Sequence, residues 1–130
     1  MKRNPLKTLH NKALKLWKIA VKMRDENKCV VCGDTRMLNA HHIQSSRMWP
    51  ELRYDIDNGV SVCPKHHKWG KNSFHQDATM YNKYIHPNQR MREEDLISRW
   101  NGKEFTANEP WLKASIRLLE KYIEAMEGSK

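Results

Sequence analysis

Apolar residues recur at helical spacing through residues 11–26. Ala13, Leu14, Leu16, Trp17, Ile19, Ala20, Val21 and Met23 cover one broad arc, while Lys15, Lys18 and Lys22 gather on the opposite side. The pattern predicts an amphipathic helix whose apolar arc is core. A lysine stripe of this kind is more often a solvated face than a ligand site. Residues 110–126 repeat the pattern: Leu112, Ile116, Leu119, Ile123 and Met126 share a face, and Pro110 stands near the start. Between the two, residues 76–85 predict a short helix with Met80, Tyr81 and Tyr84 as its apolar contacts, broken by His86-Pro87-Asn88, and residues 92–100 predict a weaker one.

Residues 29–75 have a different texture. Segments 38–43 and 60–62 are short and extended, with a long loop between them. Pro64 can then open a helix, because its missing N–H costs nothing at the first helical position. The region reads as strand, loop, strand, short helix, and the chain as α+β.

The length of 130 residues fits one domain, 1–130, with a core at 29–75 and flanking helices at 11–26 and 76–127. So short a chain often needs a staple such as a metal to hold an irregular region. No apolar run approaches the roughly 18 residues of a membrane span. Met1-Lys2-Arg3-Asn4-Pro5 is basic but leads into no apolar stretch, so no secretory signal is expected. The expected compartment is a cytoplasm, bacterial or phage-infected, with no membrane partner. The net charge of +9 favours a polyanion.

All three cysteines and five of the seven histidines lie within 29–75. An odd cysteine count in a reducing compartment argues against disulfides and suits a metal. Cys29-Val30-Val31-Cys32-Gly33 is a knuckle whose two-residue gap lets both thiolates turn onto one ion, and the glycine permits the tight turn. Cys63-Pro64-Lys65-His66 repeats the gap. Together they offer three sulfurs and one nitrogen, the donor set of a structural Zn²⁺.

Beside these knuckles lie residues that zinc does not need: His41-His42 on the first extended segment, Asn58 ahead of the second, and His67 just after His66. Neighbouring side chains on a strand point to opposite faces, so His41 and His42 should not share one role unless the strand is distorted.

Ala40-His41-His42-Ile43, then Arg53-Tyr54-Asp55-Ile56-Asp57-Asn58-Gly59, then Val62-Cys63-Pro64-Lys65-His66-His67 resembles the HNH endonucleases, and most of all their small phage-type members. The resemblance covers residues 29 to 75. It implies a ββα-metal core with a structural zinc, flanked by N- and C-terminal helices, and a metal-dependent DNA endonuclease. His42 matches the general base, His41 a ligand of the catalytic metal, Asn58 the asparagine that braces the loop, and His67 the final metal ligand. Cys29, Cys32 and Cys63 match the zinc cysteines. Relatives usually carry a fourth cysteine where this chain has His66, so His66 or His67 could complete the zinc set; His66 keeps the two-residue gap and is the expected ligand.

In this scheme one divalent ion neutralises charge on the scissile phosphate while His42 takes a proton from the attacking water, leaving 5′-phosphate and 3′-hydroxyl ends. Two imidazole ligands favour Mn²⁺, Ni²⁺, Co²⁺ or Zn²⁺ over Mg²⁺. His75, eight residues past His67, is a candidate third metal ligand, phosphate contact or helix cap. Arg47, Arg53, Lys65, Lys68 and Lys71 surround the site in sequence and are candidate DNA contacts. Beside such a site the lysines of 11–26 become a candidate phosphate track. Asp55 and Asp57 read as loop residues rather than a second metal site. The five tryptophans, Trp17, Trp49, Trp69, Trp100 and Trp111, read as core or interface by default. The alternative is a non-catalytic zinc-stapled nucleic-acid-binding module, which needs the zinc frame and the charge but not His42, Asn58 and His67 together. Packaging or recombination proteins of a phage are compatible partners, and the oligomeric state is open.

Overall fold

A computed structural model describes residues 5–44, 46–47, 49–66 and 105–128. Among these the chain is α+β. Helix α1 (Pro5–Arg24) leads to strand β1 (Asn39–His42); two short helical turns (Pro50–Leu52 and Ile56–Asn58) precede strand β2 (Gly59–Val62); helix α2 (Glu109–Gly128) closes the described chain. The expected helices at 76–85 and 92–100 fall outside the described residues.

Helix α1 begins six residues earlier than its apolar arc suggests, at Pro5, whose fixed φ suits a first helical position. It ends two residues earlier, at Arg24, in a Schellman-type turn. Glu26 N–H donates to the Met23 carbonyl at 3.0 Å and Asn27 N–H to the Lys22 carbonyl at 2.7 Å. Glu26 takes the left-handed φ of 60° that glycine usually supplies there. Without that glycine, the stop is invisible in the pattern.

The two helices bury matching seams. Ala13, Trp17 and Ala20 of α1 meet Leu112, Ile116 and Leu119 of α2, both sets at i, i+4, i+7, with Val21 and Tyr54 completing the cluster. The predicted arc of α1 is thus only partly core, and Ile19 stays 39% exposed. Full burial of a side chain such as Leu112 contributes about 1.5–3 kcal/mol.

Strands β1 and β2 pair antiparallel, with Asn39 opposite Val62, Ala40 opposite Ser61, His41 opposite Val60 and His42 opposite Gly59. Partners in such a ladder share a face. His42, Gly59, Ala40 and Ser61 therefore lie toward one side of the hairpin, and His41, Val60 and Val62 toward the other. On the first side α1 crosses so closely that a Cβ on Gly59 would stand 2.6 Å from both Trp17 Cζ2 and Val21 Cγ2. On the second, Val60 and Val62 pack with Ile43, Cys29 and Cys63 into a separate small core. Among the described residues, no helix is long and apolar enough to cross a membrane.

Candidate metal centre and histidine site

The cysteine knuckle follows α1 directly. Gly33 takes φ 77°, so its N–H reaches the Cys29 carbonyl at 2.9 Å while Cys29 N–H donates to the Asp34 carbonyl at 2.8 Å. Val30 N–H donates to the Ser61 carbonyl at 3.0 Å, which ties the knuckle to β2. One residue past β2 is Cys63, and a helical turn opening at Pro64 carries His66 back over it; His66 N–H donates to the Cys63 carbonyl at 3.1 Å.

Cys29, Cys32, Cys63 and His66 consequently bring one ligand atom each within 4.8 Å of the others. Cys32 Sγ and Cys63 Sγ are 3.8 Å apart, Cys29 Sγ and His66 Nδ1 3.7 Å, and Cys63 Sγ and His66 Nδ1 3.2 Å. Tetrahedral zinc with bonds of about 2.3 Å to sulfur and 2.0–2.1 Å to nitrogen needs ligand separations of about 3.5–3.8 Å. Two of these separations match that ion and the Cys63–His66 pair is somewhat shorter, so the cluster could hold it; among the described residues His66 is the histidine that joins it. Burial first, then the neighbouring sulfurs of Cys32 and Cys29, push the Cys63 thiol up to about 11. At Cys29 burial also raises the thiol, but the backbone groups of Cys63, Cys32 and Val31 outweigh it and draw the pKa down. A divalent cation among the sulfurs relieves their mutual repulsion, which is why such sets bind metal as thiolates. Burial, then Lys65, lowers the pKa of His66 and favours the neutral imidazole a metal requires.

His42 is held on the other side of the hairpin. Its ring stacks on the Trp17 indole, centroids 4.0 Å apart and planes 8° from parallel. Its Nε2 lies 2.9 Å from the Arg53 carbonyl. A carbonyl only accepts, so Nε2 carries the proton and Nδ1 keeps the lone pair. Burial lowers the pKa of His42, the Arg53 hydrogen bond opposes this, and the positive charges of Arg53 and Lys18 lower it further. The balance favours the neutral imidazole.

Asn58 is fully buried and its carboxamide is saturated. Oδ1 accepts from Gln44 N–H at 2.7 Å, and Nδ2 donates to the carbonyls of Gln44 at 3.1 Å and Leu52 at 3.0 Å. It closes the loop between the strands onto the hairpin, and that loop presents the Arg53 carbonyl to His42. Helix α1 braces the same loop from outside. Trp17 Nε1–H donates to the Asp55 carbonyl at 2.8 Å, Arg24 Nη1 to the Ile56 carbonyl at 2.6 Å, and Arg24 Nη2 to the Gly59 carbonyl. Asp25 completes the clamp, pairing with Arg24 and accepting from Ser61 N–H at 2.8 Å.

The expected site residues thus separate. Cys29, Cys32, Cys63 and His66 form one cluster. His42, on β1, and Asn58, in the loop between the strands, both bond to the backbone of that loop. His41 is buried and shares its face with Val60, so the two imidazoles leave β1 on opposite faces. Arg53 is half-buried with its guanidinium carbon 5.7 Å from the Tyr54 ring centroid, and Arg47 and Lys65 are exposed. His67, His75, Lys68 and Lys71 fall outside the described residues. The sequence pattern gives no role to Arg24 or Asp25 and reads Trp17 as core or interface. The only available signal was their position at the end of α1, next to the knuckle. Comparison with protein-family models, with curated proteins and with solved structures gives no match.

Proposed function

We propose that this protein is a metal-dependent DNA endonuclease with a ββα-metal core of HNH type, in which His42 is the general base. The observation that carries this reading is the treatment of His42: one nitrogen committed to the Arg53 carbonyl, the ring plane fixed by Trp17, and the neutral form favoured by burial. A histidine held in one tautomer with a free lone pair is prepared to accept a proton near neutral pH.

Within that reading Nδ1 of His42 takes the proton of the attacking water. Asn58 is a positioning residue that holds the loop, and through it the Arg53 carbonyl that selects the tautomer. Cys29, Cys32, Cys63 and His66 hold a structural zinc that fixes the far side of the hairpin. His41 and His67 are the proposed ligands of a second, catalytic divalent ion, with His75 a further candidate. Such an ion, when bound, would supply charge neutralisation at the scissile phosphate. With imidazole ligands the proposed preference is Mn²⁺, Ni²⁺, Co²⁺ or Zn²⁺ over Mg²⁺. Arg47, Arg53, Lys65, Lys68 and Lys71 are proposed DNA contacts. The proposed products carry 5′-phosphate and 3′-hydroxyl ends.

One observation favours the non-catalytic nucleic-acid-binding module instead: His41 and His42 leave the strand on opposite faces, and His41 is buried. A supercoiled-plasmid assay across Mg²⁺, Mn²⁺, Co²⁺, Ni²⁺ and Zn²⁺, comparing the wild type with His42→Ala, separates the two. The endonuclease reading expects nicked or linear product from the wild type and none from His42→Ala, with DNA affinity retained. No cleavage by the wild type in any metal, with DNA still bound, would establish the module.

A further inference from the structure

We propose that the outer face of α1 is a phosphate-contacting surface for duplex DNA, with Lys15, Lys18 and Lys22 as its contacts. The proposal deepens the endonuclease reading, on which it rests for what the surface delivers to His42.

Between Pro5 and Arg24 the helix carries Lys7, Lys12, Lys15, Lys18 and Lys22 and no carboxylate. Lys15, Lys18 and Lys22 stand at i, i+3, i+7, on one face and away from the seam of Ala13, Trp17 and Ala20. Along the axis they span about 10 Å. Lys15 and Lys18 are exposed and Lys22 is half-buried; among the described residues none of the three has an ion-pair partner.

Like charges three and four residues apart destabilise a helix, so this arrangement works against the fold that contains it. Helix α2 shows the contrast. Its Lys113 pairs with Glu109 at 2.8 Å, and Glu120, Glu124 and Glu127 offset Arg117 and Lys121. Of the two described helices, α1 alone therefore carries an uncompensated basic charge, and Lys15, Lys18 and Lys22 put part of it on a face beside the proposed base. Trp17 lies flat on His42, and Lys18, the next residue, is close enough for its charge to act on that imidazole.

The occupant follows from chemistry. The seam of α1 is buried against α2, which leaves the helix no continuous apolar face to insert into a lipid surface. The aromatic of its central turn, Trp17, is fully buried and offers no stacking platform for unpaired bases. What remains is a short row of cations suited to the backbone of a duplex.

The test is the salt dependence of binding to a short labelled duplex, by fluorescence anisotropy, using the full chain with its zinc and no added catalytic metal. Lys15→Gln/Lys18→Gln/Lys22→Gln is compared with the charge-matched control Lys113→Gln/Arg117→Gln/Lys121→Gln. Each lysine removed from a phosphate should reduce the log–log salt slope by about 0.9, so about 2.7 for the α1 triple. The control should leave the slope unchanged, and the Lys→Arg triple on α1 should restore it. If the α1 triple does not fold, each single Lys→Gln variant is read at about 0.9.

Equal slopes in the α1 and control triples, or no change in either, overturn the proposal. So does tighter binding to anionic vesicles or to single strands than to duplex. A wild type that cleaves plasmid while α1 variants keep the full slope refutes the surface and leaves the nuclease reading. Stripe-dependent binding without cleavage in any metal does the reverse.

Discussion

The Trp17 indole and the His42 imidazole lie face to face, 4.0 Å between centroids, and each is also tied to the loop that precedes β2. Trp17 donates to the carbonyl of Asp55 and His42 to that of Arg53. The stack therefore couples α1 to the orientation of the imidazole. Trp17→Phe keeps an aromatic face but removes the indole donor from the Asp55 carbonyl, which keeps its bond from Asn58 N–H at 3.0 Å, at about 0.5–1.5 kcal/mol. Urea melts should show that loss. Plasmid cleavage should fall in kcat with KM for DNA little changed. Trp17→Ala should be far worse, at about 3–5 kcal/mol from the cavity. Unchanged kcat in a folded Trp17→Phe protein would mean that the indole only fills space.

Asn58 offers a sharper discrimination, because its carboxamide serves as both donor and acceptor. Asn58→Asp removes both N–H bonds and aims a carboxylate at the carbonyls of Gln44 and Leu52. The Leu52 carbonyl keeps its bond from Asp55 N–H at 3.1 Å, but a buried carboxylate facing two carbonyls where two donors stood should cost at least about 2 kcal/mol and most of the activity. If residue 58 instead bound the catalytic metal, aspartate would be an adequate or better ligand. An Asn58→Asp protein with wild-type melting and activity would rule out the bracing role.

The cysteine–histidine cluster predicts about one tightly held zinc per chain, measurable by elemental analysis. Structural zinc sites bind with about 10–16 kcal/mol, comparable to the whole stability of a small domain. Chelation should thus abolish the cooperative thermal transition, and Zn²⁺ should restore it. Cys32→Ser alters the exposed ligand and leaves the small apolar core intact, so it should weaken zinc affinity before it disturbs packing. A purified protein free of zinc with an unchanged melt would remove the staple from the account.

The cluster of three cysteines and His66 was legible because ligand spacing alone constrains a two-residue gap, and the seam of α2 because period and burial coincide at Leu112, Ile116 and Leu119. The pairing of β1 with β2 also follows from the two short extended segments. The end of α1 was not legible, since Glu26 occupies a left-handed position that glycine would have announced. Nor was the clamp of Arg24 and Asp25 on the loop. Its partners are backbone groups, carbonyls for Arg24 and the Ser61 N–H for Asp25, which carry no side-chain signature, and the contacts span more than thirty residues. The face of each histidine on β1 was legible in principle from alternation. The stacking partner of His42 was not, because it depends on where α1 crosses the hairpin.

His10 gives a pH prediction away from any metal ligand. Its Nδ1 is 2.6 Å from the Tyr54 hydroxyl, and burial, then the charge of Arg53, lowers its pKa from 6.5. The unfolded chain therefore binds this proton more readily than the folded one. Stability is complete above pH about 6.5 and falls as pH drops below it, toward the folded pKa. His10→Gln should flatten that part of the profile. The measurement is the urea midpoint between about pH 7 and 5, taken as the difference between the two proteins so that acid effects at the cysteines cancel. Parallel profiles would show that His10 titrates alike in both states.

Gly59 tests whether the close crossing of α1 is what orders the site. A methyl group there meets Trp17 Cζ2 and Val21 Cγ2 at 2.6 Å, inside any real contact, and both neighbours belong to a helix held by its seam with α2. Gly59→Ala should cost about 1–3 kcal/mol by overpacking. The strain should pass through Trp17 to His42, so cleavage should fall beyond what the melt accounts for. Val21→Ala removes one of the two colliding groups. In a double-mutant cycle it should recover part of the stability, with a coupling of about 0.5–3 kcal/mol, but less of the activity while Trp17 stays displaced. Additive effects of the two substitutions would show that α1 yields freely and that the hairpin does not depend on the indole for its register.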